Sequence, residues 1–499
     1  MNITPKYILN QYKVNRLDKL TVVDQLISLI EDTEDLAIRL ECIESLNSIN
    51  ANTIVVYKLL ENLLISDLHE AIRCKAASTL FNLFQESAFE PLKWAFLHEE
   101  SVNNLIHLTK ILGNVESPNV KNLLLQKLTT ITKNPFNTEI KVLTEQKPII
   151  SLTSNLLSDV LMNYYILEDL EKKFGQINFK LTNGRITELD LSDVSSHVFG
   201  WTVLNKFPEV IKYLTCLEVL DLKFNRIISL NESIDRLKSL NYLDLSYNKI
   251  KTIPESIVNL NNLETLILRY NKLKELPYSV GALKSLKILD LRANKLNFIP
   301  KSVKSLSNLE VLDLHNNNLG DMKISLKKLK NVKKIELGLN NLEKLPKWLK
   351  SLNYLRFMGL GGNKIIKLPK WISKFHFLEQ LHLFDNKLIE LPENIGNLKS
   401  LKELTLWNNN LRSLPSSFCF LQNLKELNLS WNKFDHLPDW IGSLKSLEIL
   451  SLWGNNLNEL PKSVQNLKSL KVLDLNFNNI KEIPSFLIEL EKNGLIIYK

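Results

Sequence analysis

The sequence predicts an α/β solenoid with a parallel β-sheet on its concave face, preceded by an all-α helical domain. Three observations carry this. An asparagine recurs every 23 residues, twelve times without a slip, from Asn225, Asn248 and Asn271 to Asn455 and Asn478. The same apolar frame returns around each one; the Asn271 unit reads Leu263, Leu266, Leu268, Asn271, Leu273, Leu276, Pro277, Val280, Leu283. The charge also splits. Residues 1–180 carry 18 Lys and Arg against 22 acids (−4), and residues 181–499 carry 45 against 32 (+13), which marks two units of different character.

In chain order, residues 1–130 show helical periodicity with short polar breaks. Asp35 through Ala37-Ile38-Arg39 to Leu46 is echoed 34 residues later by His69 through Ala71-Ile72-Arg73 to Leu80. A weaker third copy, near Glu100–Ile111, lacks the arginine. The echo resembles HEAT-type helical pairs, which stack into a solenoid; plain antiparallel hairpins would give the same pattern. Residues 131–184 are expected to hold a connector, irregular over 131–151 around Pro135 and Pro148. A helix over 153–174 follows, amphipathic from Leu167 to Phe174, which would cap the repeats. The solenoid fills 185–499.

Within each coil the leucines of Leu-x-Leu stand at i and i+2 and point to one side of a short strand. Parallel pairing of successive strands needs a crossover, and the rest of the coil supplies it. The asparagine amide can both donate to and accept from backbone groups of the adjoining coil. Ten of the sixteen prolines follow the asparagine by six residues, as Pro277 does, and should keep that segment from pairing as another strand. Thirteen coils would run about 60 Å along the inner face. Two units depart from the pattern, with Asn231 and Lys323 in the proline position. A degenerate first coil, Ile186–Leu191, has Val194 where the asparagine belongs, and eight extra residues follow. At the other end, Ile496 and Tyr498 fall on the two Leu-x-Leu positions of a further strand, whose edge is expected to be free.

This frame resembles the leucine-rich-repeat family, in the 23-residue form found in intracellular Ras-group proteins, over about residues 185–499. The resemblance implies a parallel-β solenoid that binds proteins or peptides, with a small GTPase or another signalling protein as a conceivable partner class.

No catalytic constellation stands out. The sequence has no glycine-rich phosphate loop of the GxxxxGK[ST] type, no HExxH and no GxSxG. His69-Glu70 and His98-Glu99 lack the second histidine of a zinc helix. Gly361-Gly362-Asn363-Lys364 is a repeat turn. Cys42, Cys74, Cys216 and Cys419 lie far apart, so neither a disulfide framework nor a zinc site is expected. Cys419 sits in an apolar run with no Lys or His beside it, a poor setting for a reactive thiol. No enzyme activity, cofactor or metal is therefore expected. The absence of an apolar leader in residues 1–15, of any eighteen-residue apolar run and of a disulfide pattern suggests a cytoplasmic protein without a membrane span.

Binding information should lie on the inner wall. The positions one and two before each asparagine carry an aromatic in eight of the twelve coils. Phe224, Tyr247 and Tyr270 form a first cluster, with Arg269 and Arg292 beside them. Phe384, Trp407, Trp431, Trp453 and Phe477 form a second, with His382 nearby. Between them Gly338, Gly359, Gly361 and Gly362 should leave a bare floor. Aromatics on neighbouring strands can simply stack as a stabilising ladder. Tryptophans confined to one end fit a binding patch better, since Trp, Tyr and Arg dominate interface hot spots. The inward positions one, two, four and six before each asparagine carry nine acids against four Lys or Arg, which argues against nucleic acid. The lysines directly after the asparagines (Lys249, Lys272, Lys295, Lys364, Lys387, Lys433) and on the crossovers (Lys238, Lys284, Lys399, Lys445, Lys468) read as solvated surface, with a docking surface for an acidic partner or anionic lipid as the alternative. The expected function is a non-catalytic scaffold or adaptor. The alternatives are a recognition subunit or effector acting with an enzyme on another chain, and a carbohydrate or small-ligand receptor that uses Trp407, Trp431 and Trp453 as stacking platforms.

Overall fold

A computed structural model describes residues 4–146, 152–194, 203–320, 326–482, 484–492 and 494–499. Lys323, Pro148 and the extra residues after Val194 lie outside these. The chain divides into two compact units, Met1–Glu188 and Leu189–Lys499.

The first unit is built on ten helices: α1 (Pro5–Lys13), α2 (Lys19–Asp32), α3 (Leu36–Ser48), α4 (Ile54–Ser66), α5 (Glu70–Phe84), α6 (Phe89–His98), α7 (Val102–Gly113), α8 (Pro118–Thr129), α9 (Phe136–Gln146) and α10 (Ser154–Phe174). Seven begin on a Ser, Thr or Asp whose side chain accepts an amide of the first turn: Thr4, Asp18, Asp35, Thr53, Ser101, Ser117 and Thr153. Helices α3, α5, α7 and α10 pack in succession as one layer, and α2, α4 and α6 as a second. The echoed arginines join one pair to the next. Arg39 bridges to Asp67, and Arg73 clamps Glu99 with two bonds of 2.9 and 2.8 Å. These acids hold the corners that lead into α5 and α7, which gives the 34-residue echo a physical reason.

Two features differ from expectation. Helix α9 occupies most of the stretch read as irregular, because Pro135 immediately precedes its first residue and proline is tolerated at a helix start. After α10 a hairpin forms from β1 (Asn178–Thr182) and β2 (Arg185–Asp190). Its two-residue turn is Asn183-Gly184, both at positive φ (54° and 73°), the conformation that Asn-Gly supplies readily. Glu139 of α9 accepts the Gly184 amide at 3.0 Å, and Asn163 of α10 accepts the Ile186 amide at 2.7 Å.

The second unit is the solenoid. Thirteen three-residue strands, from β3 (Val219–Asp221) to β15 (Ile496–Tyr498), pair in parallel in chain order. The register advances 23 residues per coil, as in Leu381↔Leu404↔Leu427↔Leu450. The middle residue of each strand from β3 to β14 is buried, and its neighbours face the concave side. Opposite the sheet, except in the last coil and in the Asn317 coil, where residues 321–325 lie outside the described ones, each coil carries a five-residue 3₁₀ turn. The repeat proline caps it, with φ near −65°, as at Pro392 and Pro461. Proline thus starts the turn as well as restraining pairing, and isolated bridges just before it (Ser229↔Thr252, Lys367↔Glu390) are the remnant of a second sheet. In the first full coil Asn231 takes the capping position and reaches Glu209 at 2.7 Å.

The asparagines are buried in every full coil except the last. Asn409 is typical: its Nδ2 donates to Leu383 and Leu406 carbonyls (3.0 and 2.9 Å), and its Oδ1 accepts the Leu388 amide at 2.9 Å. Each asparagine therefore satisfies backbone groups of its own coil and of the coil before it. The outer side has its own polar ladder. Lys284 and Lys445 each donate to two carbonyls, one in their own coil and one at the end of the next coil's 3₁₀ turn, with Ser305 at 2.9 Å and Asn466 at 3.2 Å. Lys238 and Lys399 make the same inter-coil bond. These crossover lysines, read from sequence as solvated surface, tie coil to coil.

The last coil corrects the expected register. An α-helix, α11 (Ser485–Lys492), replaces the 3₁₀ turn, and the coil is one residue longer. Leu473 therefore pairs with Ile497, while Ile496 and Tyr498 are half exposed on the concave side.

Candidate functional site: the concave face

Four residues per coil face inward. Two flank the buried strand leucine, and two stand just before the asparagine. The last of these has a property that no residue identity announces. In all twelve coils the residue immediately before the asparagine lies in the left-handed region, from Phe224 (φ 57°), Tyr247 (55°) and Tyr270 (55°) to Trp431 (51°), Gly454 (70°) and Phe477 (54°). Even the degenerate first coil keeps it, at Asp193 (56°). The turn aims that amide at the next coil, as Tyr247 does at the Arg269 carbonyl (2.9 Å). Left-handed geometry costs about 1–2 kcal/mol for residues other than Gly, Asn or Asp. Five coils carry an aromatic there nonetheless.

The two clusters differ in how they meet that cost. Phe224, Tyr247 and Tyr270 stack face to face, with centroids 4.4 Å apart and planes within 19° and 10°. Arg269 adds its guanidinium over Tyr247 at 5.8 Å. This is the ladder geometry, and stacking of this kind returns about 0.5–1.5 kcal/mol per pair. Arg292 lies one coil further on, its amide bonded to Asp290 at 3.0 Å. At the other end Phe384 and Trp407 stack at 5.0 Å with parallel planes. Trp431 meets Trp453 edge-on at 5.3 Å, and Trp453 meets Phe477 at 6.0 Å and 54°. Trp431 is 50% exposed, Trp453 37% and Phe477 77%. Beyond the Phe384–Trp407 stack, the rings of this end meet edge-on or tilted and do not continue it.

The expected bare floor is not bare. A Cβ on Gly361 would lie 2.4 Å from the Phe384 ring, one on Gly338 would meet His315, and one on Gly359 would meet the Glu336 carboxylate. Gly454 likewise seats the Trp431 indole, 2.9 Å from where its Cβ would be. The glycines make room for side chains that reach across from neighbouring coils.

His382 meets Phe384 of the second cluster at 6.5 Å, its Nε2 lies 3.0 Å from Glu403 Oε1, and it is edge-on to Phe357 at 4.9 Å. Phe357 lies outside the two positions before the asparagine that define the aromatic pattern in the sequence. Its position six before Asn363, already known to face inward, was the available signal. Lys334 covers the same ring at 4.6 Å.

Electrostatically the first half of the wall is a row of carboxylates. Asp221 faces Asp244, and Asp290, Asp313 and Glu336 follow on successive strands. Burial pushes Asp221 and Asp290 upward, and it raises Asp313 to about 6, with neighbouring Asp290 and Glu336 adding to the shift. A carboxyl raised in the folded state above its unfolded value of about 3.9 favours folding while protonated. Its contribution is complete below pH 4 and is lost as pH rises through 6. Asp313→Asn should therefore gain stability over wild type, on the order of 2 kcal/mol at pH 7.5 and little at pH 4. Urea unfolding of both proteins at the two pH values checks this; an equal difference at both would contradict it.

Burial also raises the Cys42 and Cys74 thiols to about 12, so neither is a thiolate near neutral pH. Cys419 lies on a 3₁₀ turn of the outer side, away from the concave face. Among the described residues, no helix is long and apolar enough to cross a membrane.

Family models of a leucine-rich repeat region match residues 217–348 and 381–458, and a leucine-rich-repeat model matches 469–490. The chain is a leucine-rich-repeat protein. No curated protein matches it. Among solved structures, this leucine-rich-repeat protein is similar to one from Leptospira interrogans, with 30% identity over 64% of this chain and 93% of that one (TM-score 0.49). It is also similar to internalin F of Listeria monocytogenes, with 20% identity over 77% and 98% (TM-score 0.53). The Toll–Spätzle complex of Drosophila matches with 24% identity over 60% of this chain and 43% of that one (TM-score 0.52). At these identities the last two show the fold. Leucine-rich repeats are in general a protein-interaction fold.

Proposed function

We propose that this protein is a non-catalytic interaction scaffold that binds a protein or peptide partner on its concave face, chiefly through Phe384, Trp407, Trp431, Trp453 and Phe477. One observation carries the reading. Trp431 and Phe477 occupy left-handed backbone positions, at φ 51° and 54°, with half or more of their surface exposed. A fold selected for stability alone would place Asn or Gly there, as other coils do at Asn408 and Gly454. Strain kept on an exposed aromatic points to use by a ligand. A contiguous apolar face of this kind is characteristic of interaction sites. The Toll–Spätzle structure, a complex on a similar fold, is consistent with this reading. Four free cysteines suit a reducing, cytoplasmic setting.

Two variants test it. Phe477→Asn should raise stability by up to about 1 kcal/mol in urea unfolding while weakening partner binding. Trp407→Ala/Trp431→Ala/Trp453→Ala should lose the proteins that wild type recovers from a lysate of the source cells. Recovery of the same set by the triple variant would sink the proposal, and a stability loss in Phe477→Asn would return that ring to a ladder role.

A further inference from the structure

The charge of the wall changes along its length. In the five coils of Asn386 to Asn478, the twenty inward positions hold the five aromatics above and four carboxylates: Asp385, Glu403, Glu426 and Asp474. They hold no Lys or Arg, within a unit whose sequence is strongly basic. The first half of the wall differs, because there cations accompany the acids: Lys223 pairs with Asp221 at 2.6 Å, and Arg269 and Arg292 flank Asp290.

Among the described residues no Lys or Arg holds any of the four, and Asp385 accepts the Asn408 side-chain amide of the next coil. Glu403 and Glu426 stand directly opposite each other on adjacent strands. Like charges in that register are destabilising. Glu403 accepts from Gln380 at 2.6 Å and from His382 at 3.0 Å, whereas Glu426 is exposed and has no ion-pair partner among the described residues. Among the described residues the Asp474 carboxylate accepts from Asn476 alone, at 3.1 and 2.9 Å. The outward-facing glutamates next to these strands behave oppositely: Glu379 and Glu448 each hold two cations. Cations were therefore available one residue away and were kept off the inner wall.

We propose that the face spanning Phe384 to Phe477 receives a basic protein segment, one whose Lys or Arg side chains lie over the Trp431 and Trp453 rings and against Glu426 and Asp474, with apolar residues between them. This rests on the concave face being the binding surface. Indole faces attract a cation and carboxylates neutralise it, so both features of the wall serve one ligand chemistry. An acidic partner would meet four carboxylates with no Lys or Arg among them.

The test uses the full chain and three fluorescein-labelled synthetic peptides of fifteen residues with the same leucines and tyrosines, in which the charged positions are all Lys/Arg, all Gln or all Glu. Fluorescence anisotropy should show the basic peptide binding at least tenfold more tightly than the neutral one, and the acidic one weakest. Affinity should fall as salt is raised. Glu426→Lys/Asp474→Lys should cost the basic peptide at least tenfold. Glu459→Lys, the same kind of charge reversal at an exposed site past the asparagine of its coil, should cost less than twofold. The proposal is overturned if the neutral or acidic peptide binds as well as the basic one, if no peptide binds, or if Glu459→Lys costs as much as the double variant. A further result separates it from the broader reading. If lysate partners depend on the tryptophans yet survive Glu426→Lys/Asp474→Lys, the concave site stands and its ligand is not basic.

Discussion

Replacing Asn409 with alanine should cost the solenoid about 3–5 kcal/mol, more than any single core leucine-to-valine trim. The side chain is 6% exposed and lies in the middle of the array. Its loss strands the Leu388 amide and removes a donor from the Leu383 and Leu406 carbonyls, in two different coils. A buried backbone group left without a partner costs about 1–3 kcal/mol, and alanine offers neither donor nor acceptor. Asn478→Ala is the internal control. That residue makes the same set of bonds, with Leu452, Leu475 and Leu457, but water reaches it. Its replacement should cost less than half as much. Urea unfolding followed by tryptophan fluorescence and circular dichroism measures both. If the two probes separate for Asn409→Ala, the coils on either side of the lesion have uncoupled, as nearest-neighbour stability predicts. Equal costs at the two sites would mean that the bonds, rather than their burial, set the energy.

The second large effect is expected from Gly396→Ala, where one methyl group meets backbone. An ideal Cβ at Gly396 would lie 1.9 Å from the Ser417 carbonyl oxygen of the next coil and 2.7 Å from its carbon. Backbone cannot swing aside as a side chain can, so two 3₁₀ turns must separate. Forced shifts of this kind cost about 1–3 kcal/mol, occasionally more. Gly442 meets Ser463 in the same way, at 2.1 Å. The reduced melting temperature of Gly396→Ala should be accompanied by faster amide exchange at Ser417 and Phe418. Wild-type stability would show that the outer side has slack the geometry denies.

Much of this protein is legible in its sequence because periodicity survives translation into space. The asparagine count fixed the coils, and the Leu-x-Leu pairs fixed which side is buried. What resisted reading was whatever depends on backbone conformation or on a neighbour one coil away. The left-handed turn before each asparagine is invisible at Phe224, Tyr247 and Trp431, because none is a residue that announces positive φ. The glycines at 338, 359 and 361 looked like gaps, since nothing in their own coil covers them; the covering groups come from Glu336, His315 and Phe384 in adjacent coils. The last strand was misregistered by one residue because a 23-residue count cannot foresee an α-helix in place of a 3₁₀ turn at Ser485–Lys492. One residue is enough to exchange the two faces of a strand. In the helical unit the repeated arginines were visible, but their acidic partners Asp67 and Glu99 were not, lying 28 and 26 residues downstream.

The hydrogen-bond pattern of the asparagines also bears on how such a wall can change size. Each unit leaves its final polar needs to be met by its successor, and every successor in mid-array meets them with the same atoms. Excising or duplicating 23 consecutive residues, or a multiple of 23, within the regular array would therefore heal without orphaned groups. Length then becomes quantised in steps of about 4.8 Å. The span between the tyrosine stack and the tryptophan face could be lengthened or shortened one notch at a time, leaving each end intact.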